Sequence, residues 1–324
     1  MAEKLYREAV VEAIDEEMAR DERVFLLGED VGLFGGAFAT TKGLYEKYGP
    51  KRIMDTPISE SVIVGAALGC ALTGLRPIAE LMFIDFVGVC MDQIANQVPK
   101  MRYMSGGQVT VPLVIRTQGG AGRSFAAQHS QSLEAWFMHT PGIKVVLPST
   151  PADAKGLFKS AVRDDNPVLF VEHKLLFTTK GEVPEGEYLI PLGKADVKRQ
   201  GSDISLIAYS RMVLRCLEAA EELARDGISA EVVDLRSLTP LDMDTVLASV
   251  AKTTRAVVVY EGYKNAGAGA EIAARLANEG FDYLDAPVKR VAGLDCPIPL
   301  NRSLEAAVIP ETSEIVRHAR KILP

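Results

Sequence analysis

The sequence predicts an α/β protein of two domains, each a mainly parallel sheet flanked by helices. Three observations carry this. Short β-branched runs alternate with apolar patterns of helical period. The alternation stops between 178 and 202, where Gly, Pro and charge collect. It then restarts for roughly another 120 residues, an ordinary domain length. Strands alternating with helices favour parallel sheets covered by helices. A chain of 324 residues, 48% of them hydrophobic, can fill two such cores.

Taken in order, MAEKLYREAVVEAIDEEMAR places Leu5, Ala9, Val10, Ile14 and Met18 on one side of a helix. It lacks the basic start and apolar run of a signal peptide. Strands are expected at VFLLGED (24–30), RPIAELMF (76–83), VPLVIRTQ (111–118), IKVVLPS (143–149) and PVLFVEH (167–173). Helices are expected in SESVIVGAALGCALTG and PADAKGLFKSAVRDD. The stretch TTKGEVPEGEYLIPLGKADVKRQGS reads as a linker with a short hairpin. The expected boundaries are therefore a first domain over 1–185, a linker over 186–201 and a second domain over 202–324. In the second, ISLIAYS, AEVVDLR and AVVVYEG read as strands. MVLRCLEAAEELARDG, closed by Gly227, LDMDTVLASVAKT and AEIAARLANEG read as helices.

Charge and composition exclude several classes of function. The formal charge of −7 is spread over interspersed residues, with no basic run to follow a phosphate backbone, so nucleic acid is not an expected partner. Weakly charged stretches are too broken by Gly, Pro, Asp and Gln to span a bilayer, so no membrane is expected and a cytoplasmic location is. Cys70, Cys90, Cys216 and Cys296 are far apart and form no C-x-x-C pair, which reads as reduced core thiols. The four histidines, His129, His139, His173 and His318, form no metal-binding spacing.

DTPISESVIVGAALGCALTG raises the first candidate, Glu60. As a structural residue it sits behind an N-cap Ser59 and complements the helix dipole, worth roughly 0.3 to 1 kcal/mol. Against that, Val, Ile, Ala, Gly and Cys occupy every side of the helix, which predicts burial all round. A buried carboxylate is costly unless paired, hydrogen-bonded or protonated, and so marks a functional candidate. His129 is the second, in the Gly-rich loop GGAGRSFAAQHSQSLEAW after the strand at 111–118. Loops at the carboxyl ends of parallel strands are where α/β proteins place ligands, although a lone loop histidine also serves as a structural or solvated residue. His139, in FMHTPGIK, reads as a capping or packing residue. YEGYKNAGAGAEIAARL approximates a dinucleotide motif through Gly267 and Gly269, but Ile272 stands where the third small residue belongs. QGGAGRS lacks the Gly-Lys-Ser/Thr of a P-loop.

Several stretches together carry a family resemblance. YGPKRIMDTPISESVIVGAALG, GLRPIAELMFIDF, RYMSGG, AAQHSQSLEAWFMHTPGIKVVLPSTPADAKGL and AVRDDNPVLFVEH resemble the beta subunits of thiamine diphosphate-dependent E1 components of 2-oxo acid dehydrogenases, with acetoin dehydrogenases closely similar. The likeness continues through EVPEGEYLIPLGKADV and AEVVDLRSLTPLD to the C-terminus. It implies a pyrimidine-binding domain followed by a transketolase C-terminal-like domain.

By residue-to-residue match, the resemblance implies that Glu60 contacts the aminopyrimidine ring nitrogen of thiamine diphosphate and favours its imino tautomer, which removes the thiazolium C2 proton. Phe86 would stack on the aminopyrimidine with Ile58 and Met82 beside it. His129 would face the reacting C2 centre, orienting the substrate carboxylate and aiding transfer to lipoyl-lysine. A structural potassium ion would lie at Leu113, Ala161, Val162, Asp164 and Asn166. Thiamine diphosphate enzymes hold the diphosphate through Mg²⁺ with a Gly-Asp-Gly motif, which in E1 enzymes of this type lies on the alpha subunit, and this chain has none. The resemblance therefore implies an alpha subunit that supplies the Mg²⁺ half of the site, an α2β2 heterotetramer, and an E2 dihydrolipoyl acyltransferase as second partner. The implied reaction is decarboxylation of a 2-oxo acid, with pyruvate first and branched-chain 2-oxo acids or acetoin as alternatives, and reductive acylation of the lipoyl group.

Overall fold

A computed structural model describes residues 1–323, which form two units. One comprises Met1–Gly119 with Trp136–Leu192; the other comprises Gly120–Ala135 with the chain from Gly193 onward.

The first unit runs β1 (Ala2–Leu5), α1 (Tyr6–Arg20), β2 (Val24–Gly28), α2 (Leu44–Tyr48), β3 (Ile53–Asp55), α3 (Glu60–Leu72), β4 (Arg76–Leu81), α4 (Met101–Met104) and β5 (Val114–Gly119). After the short helix α5 (Glu134–Met138) come β6 (Lys144–Val146), α6 (Pro151–Arg163), β7 (Val168–His173) and β8 (Lys180–Val183). The sheet has the parallel order β6-β7-β5-β4-β2-β3. Its strands β2, β5 and β7 are buried along their whole length, as expected of parallel strands covered on both faces. Helix α6 starts where Thr150 accepts the Asp153 N–H at 3.1 Å, with Pro151 in the first turn. It packs on α1 through paired charges: Lys155 and Lys159, both buried, each lie 2.6 Å from Glu16, and Arg163 lies 2.6 Å from Glu17.

The second unit runs β9 (Asp196–Arg199), β10 (Ile204–Ala208), α7 (Met212–Arg225), β11 (Ala230–Asp234), β12 (Ser237–Thr239), α8 (Met243–Thr253), β13 (Ala256–Tyr263), α9 (Ala268–Glu279), β14 (Lys289–Gly293), α10 (Arg302–Val308) and α11 (Thr312–Arg320). Its sheet order is β14-β13-β10-β11-β9, parallel except for the antiparallel edge strand β9. Leu206, Val232, Val257 and Val259 meet Cys216 and Leu223 of α7 and Ile315 and Val316 of α11 in one core.

Three expectations need correction. Leu5 ends β1 rather than lying on the first helix, because β1 pairs antiparallel with β8, Leu5 opposite Lys180. The stretch read as a linker with a hairpin holds no hairpin: β8 pairs with β1, and β9, inside the expected linker, pairs with β11. All four cysteines are free, but only Cys90 and Cys216 are buried; Cys70 and Cys296 are partly exposed.

Candidate active site

Strand order places the site. From β2 the chain moves outward to β3; from β4 it moves to β5 on the opposite side. Such a reversal opens a crevice at the carboxyl ends of the strands, where open α/β sheets bind ligands. Gly28 pairs with Asp55 on one side and Glu80 on the other, so the segments leaving all three strands emerge at one level. They enclose a cavity of about 620 Å³ lined by Glu29 and Asp30 after β2, Thr56, Ile58 and Glu60 after β3, and Met82, Phe86 and Val89 after β4. The four residues expected to hold the aminopyrimidine, Ile58, Glu60, Met82 and Phe86, are all in this wall.

Local chemistry holds the three segments in register. The Asp55 carboxylate accepts the Gly32 N–H at 2.6 Å, and a Cβ on Gly32 would lie 2.5 Å from an Asp55 carboxylate oxygen, so a side chain there would displace the carboxylate. Thr56 donates its N–H to the Gly28 carbonyl at 2.9 Å. The Thr56 hydroxyl is buried against this wall without a hydrogen-bond partner among the described residues. Phe86 meets Phe83 edge-on, with ring centroids 5.6 Å apart, which steadies its ring.

Glu60 opens α3 and is 7% exposed. Ser59 occupies the cap position but does not cap: its hydroxyl donates to the Pro57 carbonyl at 3.2 Å. The expectation of burial all round is also corrected. Ile63, Val64, Ala67, Leu68 and Ala71 are buried, whereas Val62 is 64% exposed and Ala66 and Gly69 are exposed beside it. An apolar composition on every side therefore covers one inward face and one bare face. The rim of the cavity is bare as well, with Ile58 83% and Val89 61% exposed.

The pocket concentrates negative charge in apolar surroundings. Burial first, and then the charges of Glu60 and Asp30, push the Glu29 carboxyl above its ordinary value. Burial and then Glu60 push the thiol of the buried Cys90 up to about 12, so it stays neutral. Sequence reasoning missed Glu29, Asp30, Thr56 and Val89. The available signal was the acidic pair in VFLLGED, directly after a buried parallel strand.

His129 lies in the second unit, half-buried, in the loop after β5, its N–H donating to the Ala126 carbonyl at 3.5 Å. The expected potassium ligands cluster around the end of α6. The carbonyls of Val162 and Asp164 accept from the Arg76 guanidinium at 2.9 and 2.8 Å, those of Leu113 and Ala161 accept backbone N–H groups, and the Asp164 carboxylate pairs with Lys144. Asn166 accepts from Arg102 at 2.5 Å. Among the described residues no three His, Cys, Asp or Glu side chains converge as a metal centre. The glycines of the incomplete dinucleotide motif serve packing: a Cβ on Gly267 or Gly269 would come 2.6 or 2.1 Å from the Tyr260 ring.

A transketolase pyrimidine binding domain model matches residues 2–180, and a transketolase C-terminal domain model matches 193–315. The chain is 52% identical to the acetoin:2,6-dichlorophenolindophenol oxidoreductase subunit beta of Cupriavidus necator, over 100% of this chain and 98% of that protein. The chain belongs to the transketolase-like family of thiamine diphosphate-dependent E1 beta subunits. Other members of this family include the pyruvate dehydrogenase E1 component subunit beta of Gracilaria tenuistipitata var. liui, 47% identical over 100% of both chains. The mitochondrial pyruvate dehydrogenase E1 component subunit beta of Dictyostelium discoideum is 47% identical over 98% of this chain and 90% of that protein. A solved structure described as a split gene transketolase, inactive beta4 tetramer, shares the fold at a TM-score of 0.81 and 24% identity, covering 98% of this chain and 97% of that one. The fold is two domains of mainly parallel sheet flanked by helices. No helix among the described residues is long and apolar enough to cross a membrane.

Proposed function

We propose that this chain is the beta half of an E1 component that, with an alpha subunit, decarboxylates pyruvate and passes the acyl group to the lipoyl group of an E2 acyltransferase. The observation that carries this reading is the cavity at the ends of β2, β3 and β4, where Glu60, Phe86, Met82 and Ile58 share one wall. The residues fit an aminopyrimidine: a carboxyl at one edge, an aromatic face, apolar sides, and a buried Thr56 hydroxyl left to be satisfied. Thiamine diphosphate, when bound, supplies the electron sink for decarboxylation. The chain's own residues do the rest. With the cofactor bound, Glu60 would contact the aminopyrimidine ring nitrogen, Phe86 would stack on the ring with Ile58 and Met82 beside it, and His129 would orient the substrate carboxylate and assist transfer.

A Mg²⁺-diphosphate half from an alpha subunit, in an α2β2 assembly, is supported by the missing Gly-Asp-Gly motif and by the bare apolar rim of Ile58, Val62 and Val89. A potassium ion at the end of α6 would share the Val162 and Asp164 carbonyls with Arg76, each carbonyl oxygen having a second lone pair. Acetoin cleavage is the second reading, favoured by the 52% identity to the Cupriavidus subunit.

The test is reconstitution with the alpha subunit and comparison of pyruvate, branched 2-oxo acids and acetoin. Turnover of pyruvate supports the proposal, and turnover of acetoin alone replaces it with the second reading. Glu60→Gln should leave assembly intact and abolish exchange of the cofactor C2 proton above background; unchanged exchange removes Glu60 from the chemistry.

A further inference from the structure

The loop that carries His129 has a shape its own residues do not favour. Gly120 and Gly122 take left-handed backbone angles of 86° and 99°, and so do Ser124 at 56° and Ala126 at 61°, where a side chain makes that conformation costly. Backbone of this kind persists only where its surroundings over-determine it. Here the surroundings are carboxylates from remote parts of the chain. Glu305 of α10, 1% exposed, accepts the N–H groups of Gly122 at 2.7 Å and Ser124 at 2.9 Å. Glu261, near the end of β13, accepts the Ala121 N–H at 2.5 Å, and Arg211 stands 3.6 Å from its other oxygen.

Successive backbone N–H groups in turn conformations form an anion-binding concavity, and in this loop the anion is the protein's own glutamate. The far side of the loop is held too. Gly120 donates to the Gln131 carbonyl at 2.9 Å, and the buried Glu134 accepts the Tyr209 hydroxyl at 2.7 Å. His129 lies between these two anchored ends.

We propose that Glu305, supported by Glu261, is a positioning residue: its carboxylate closes the loop from 120 to 131 in one conformation and so fixes where His129 presents its imidazole. The inference rests on the reading of His129 as a residue of acyl transfer. Both glutamates act through the loop and not on substrate.

The test uses the full complex with its alpha subunit and lipoyl-bearing E2, in wild type, Glu305→Gln, His129→Ala and the double variant. Glutamine keeps the shape but offers one accepting oxygen where two N–H groups converge. Lipoyl reductive acylation should fall by roughly ten- to a hundredfold in Glu305→Gln, the scale of a misplaced reacting group. The double variant should be no slower than His129→Ala alone, because the two changes remove the same function. In the isolated chain, trypsin should cleave after the exposed Arg123 faster in Glu305→Gln than in wild type at matched thermal midpoints. Multiplying effects in the double variant, or unchanged cleavage at Arg123, overturn the positioning role. If His129→Ala leaves transfer unchanged, the reading of His129 falls and takes this role with it. Glu261→Gln should reproduce the cleavage result if Glu305→Gln does not fold.

Discussion

Glu172 in β7 and Glu80 in β4 flank Arg116 of the intervening β5, and all three side chains are buried. Arg116 lies 2.6 Å from Glu172 and pairs with Glu80 as well, so one guanidinium faces two carboxylates. Burial first, and the Glu80 charge in addition, push Glu172 up to about 7 against the pull of Arg116. A carboxyl raised in the native state binds its proton more tightly folded than unfolded. Its favourable contribution is therefore complete below the unfolded value of 4.5 and is lost as pH rises through about 7. At about 1.4 kcal/mol for each pH unit, the loss is at most about 3 kcal/mol.

Glu172→Gln removes this titration while keeping the shape. Wild type and variant should have similar thermal midpoints near pH 5, and the variant should be the more stable at pH 8, by up to roughly 6 to 12 °C for a unit of this size. The single tryptophan, Trp136, belongs to the same unit and gives a fluorescence signal for its unfolding. Parallel midpoint curves for the two proteins between pH 5 and 8 would refute the assignment of a neutral-range proton to Glu172.

Phe86→Ala should weaken thiamine diphosphate binding by roughly three- to tenfold, the loss of one aromatic stack, in fluorescence titration of the assembled complex; an unchanged affinity removes the stacking role. Gly269→Ala would drive a Cβ to 2.1 Å from the Tyr260 ring and should cost about 1 to 3 kcal/mol in denaturant unfolding of the second unit; an unchanged midpoint removes the packing role. Thr150→Ala removes the N-cap of α6 and should lower stability by about 1 kcal/mol, measured as a fall in denaturation midpoint.

Strand runs such as VFLLG and VLFVEH were legible because a strand buried on both faces must be apolar along its length. Glu60 was legible as an oddity, a carboxylate at the head of an uncharged helix. The missed Glu29 and Thr56 became site residues only through the pairing of β2 with β3 and β4. An acidic residue or a threonine after a strand is too common to stand out before that pairing is known. The bare side of α3 escaped notice because composition cannot tell an inward apolar face from an outward one.

The sequence by itself determined the alternation of strands and helices, through local pattern, and the family, through ordered stretches that resemble E1 beta subunits; that resemblance named Ile58, Glu60, Met82 and Phe86 as one set, and they share one wall. Tertiary structure alone decided which distant segments meet. It paired Ala2 with Val183, gave the edge strand β9 to the second sheet, and tied the His129 loop to Glu261 and Glu305 across more than a hundred residues. The physical reason is common to all three. Backbone N–H and carbonyl groups at a sheet edge or in a strained loop must be satisfied, and any partner of the right geometry can satisfy them, so nothing in the local sequence names the partner.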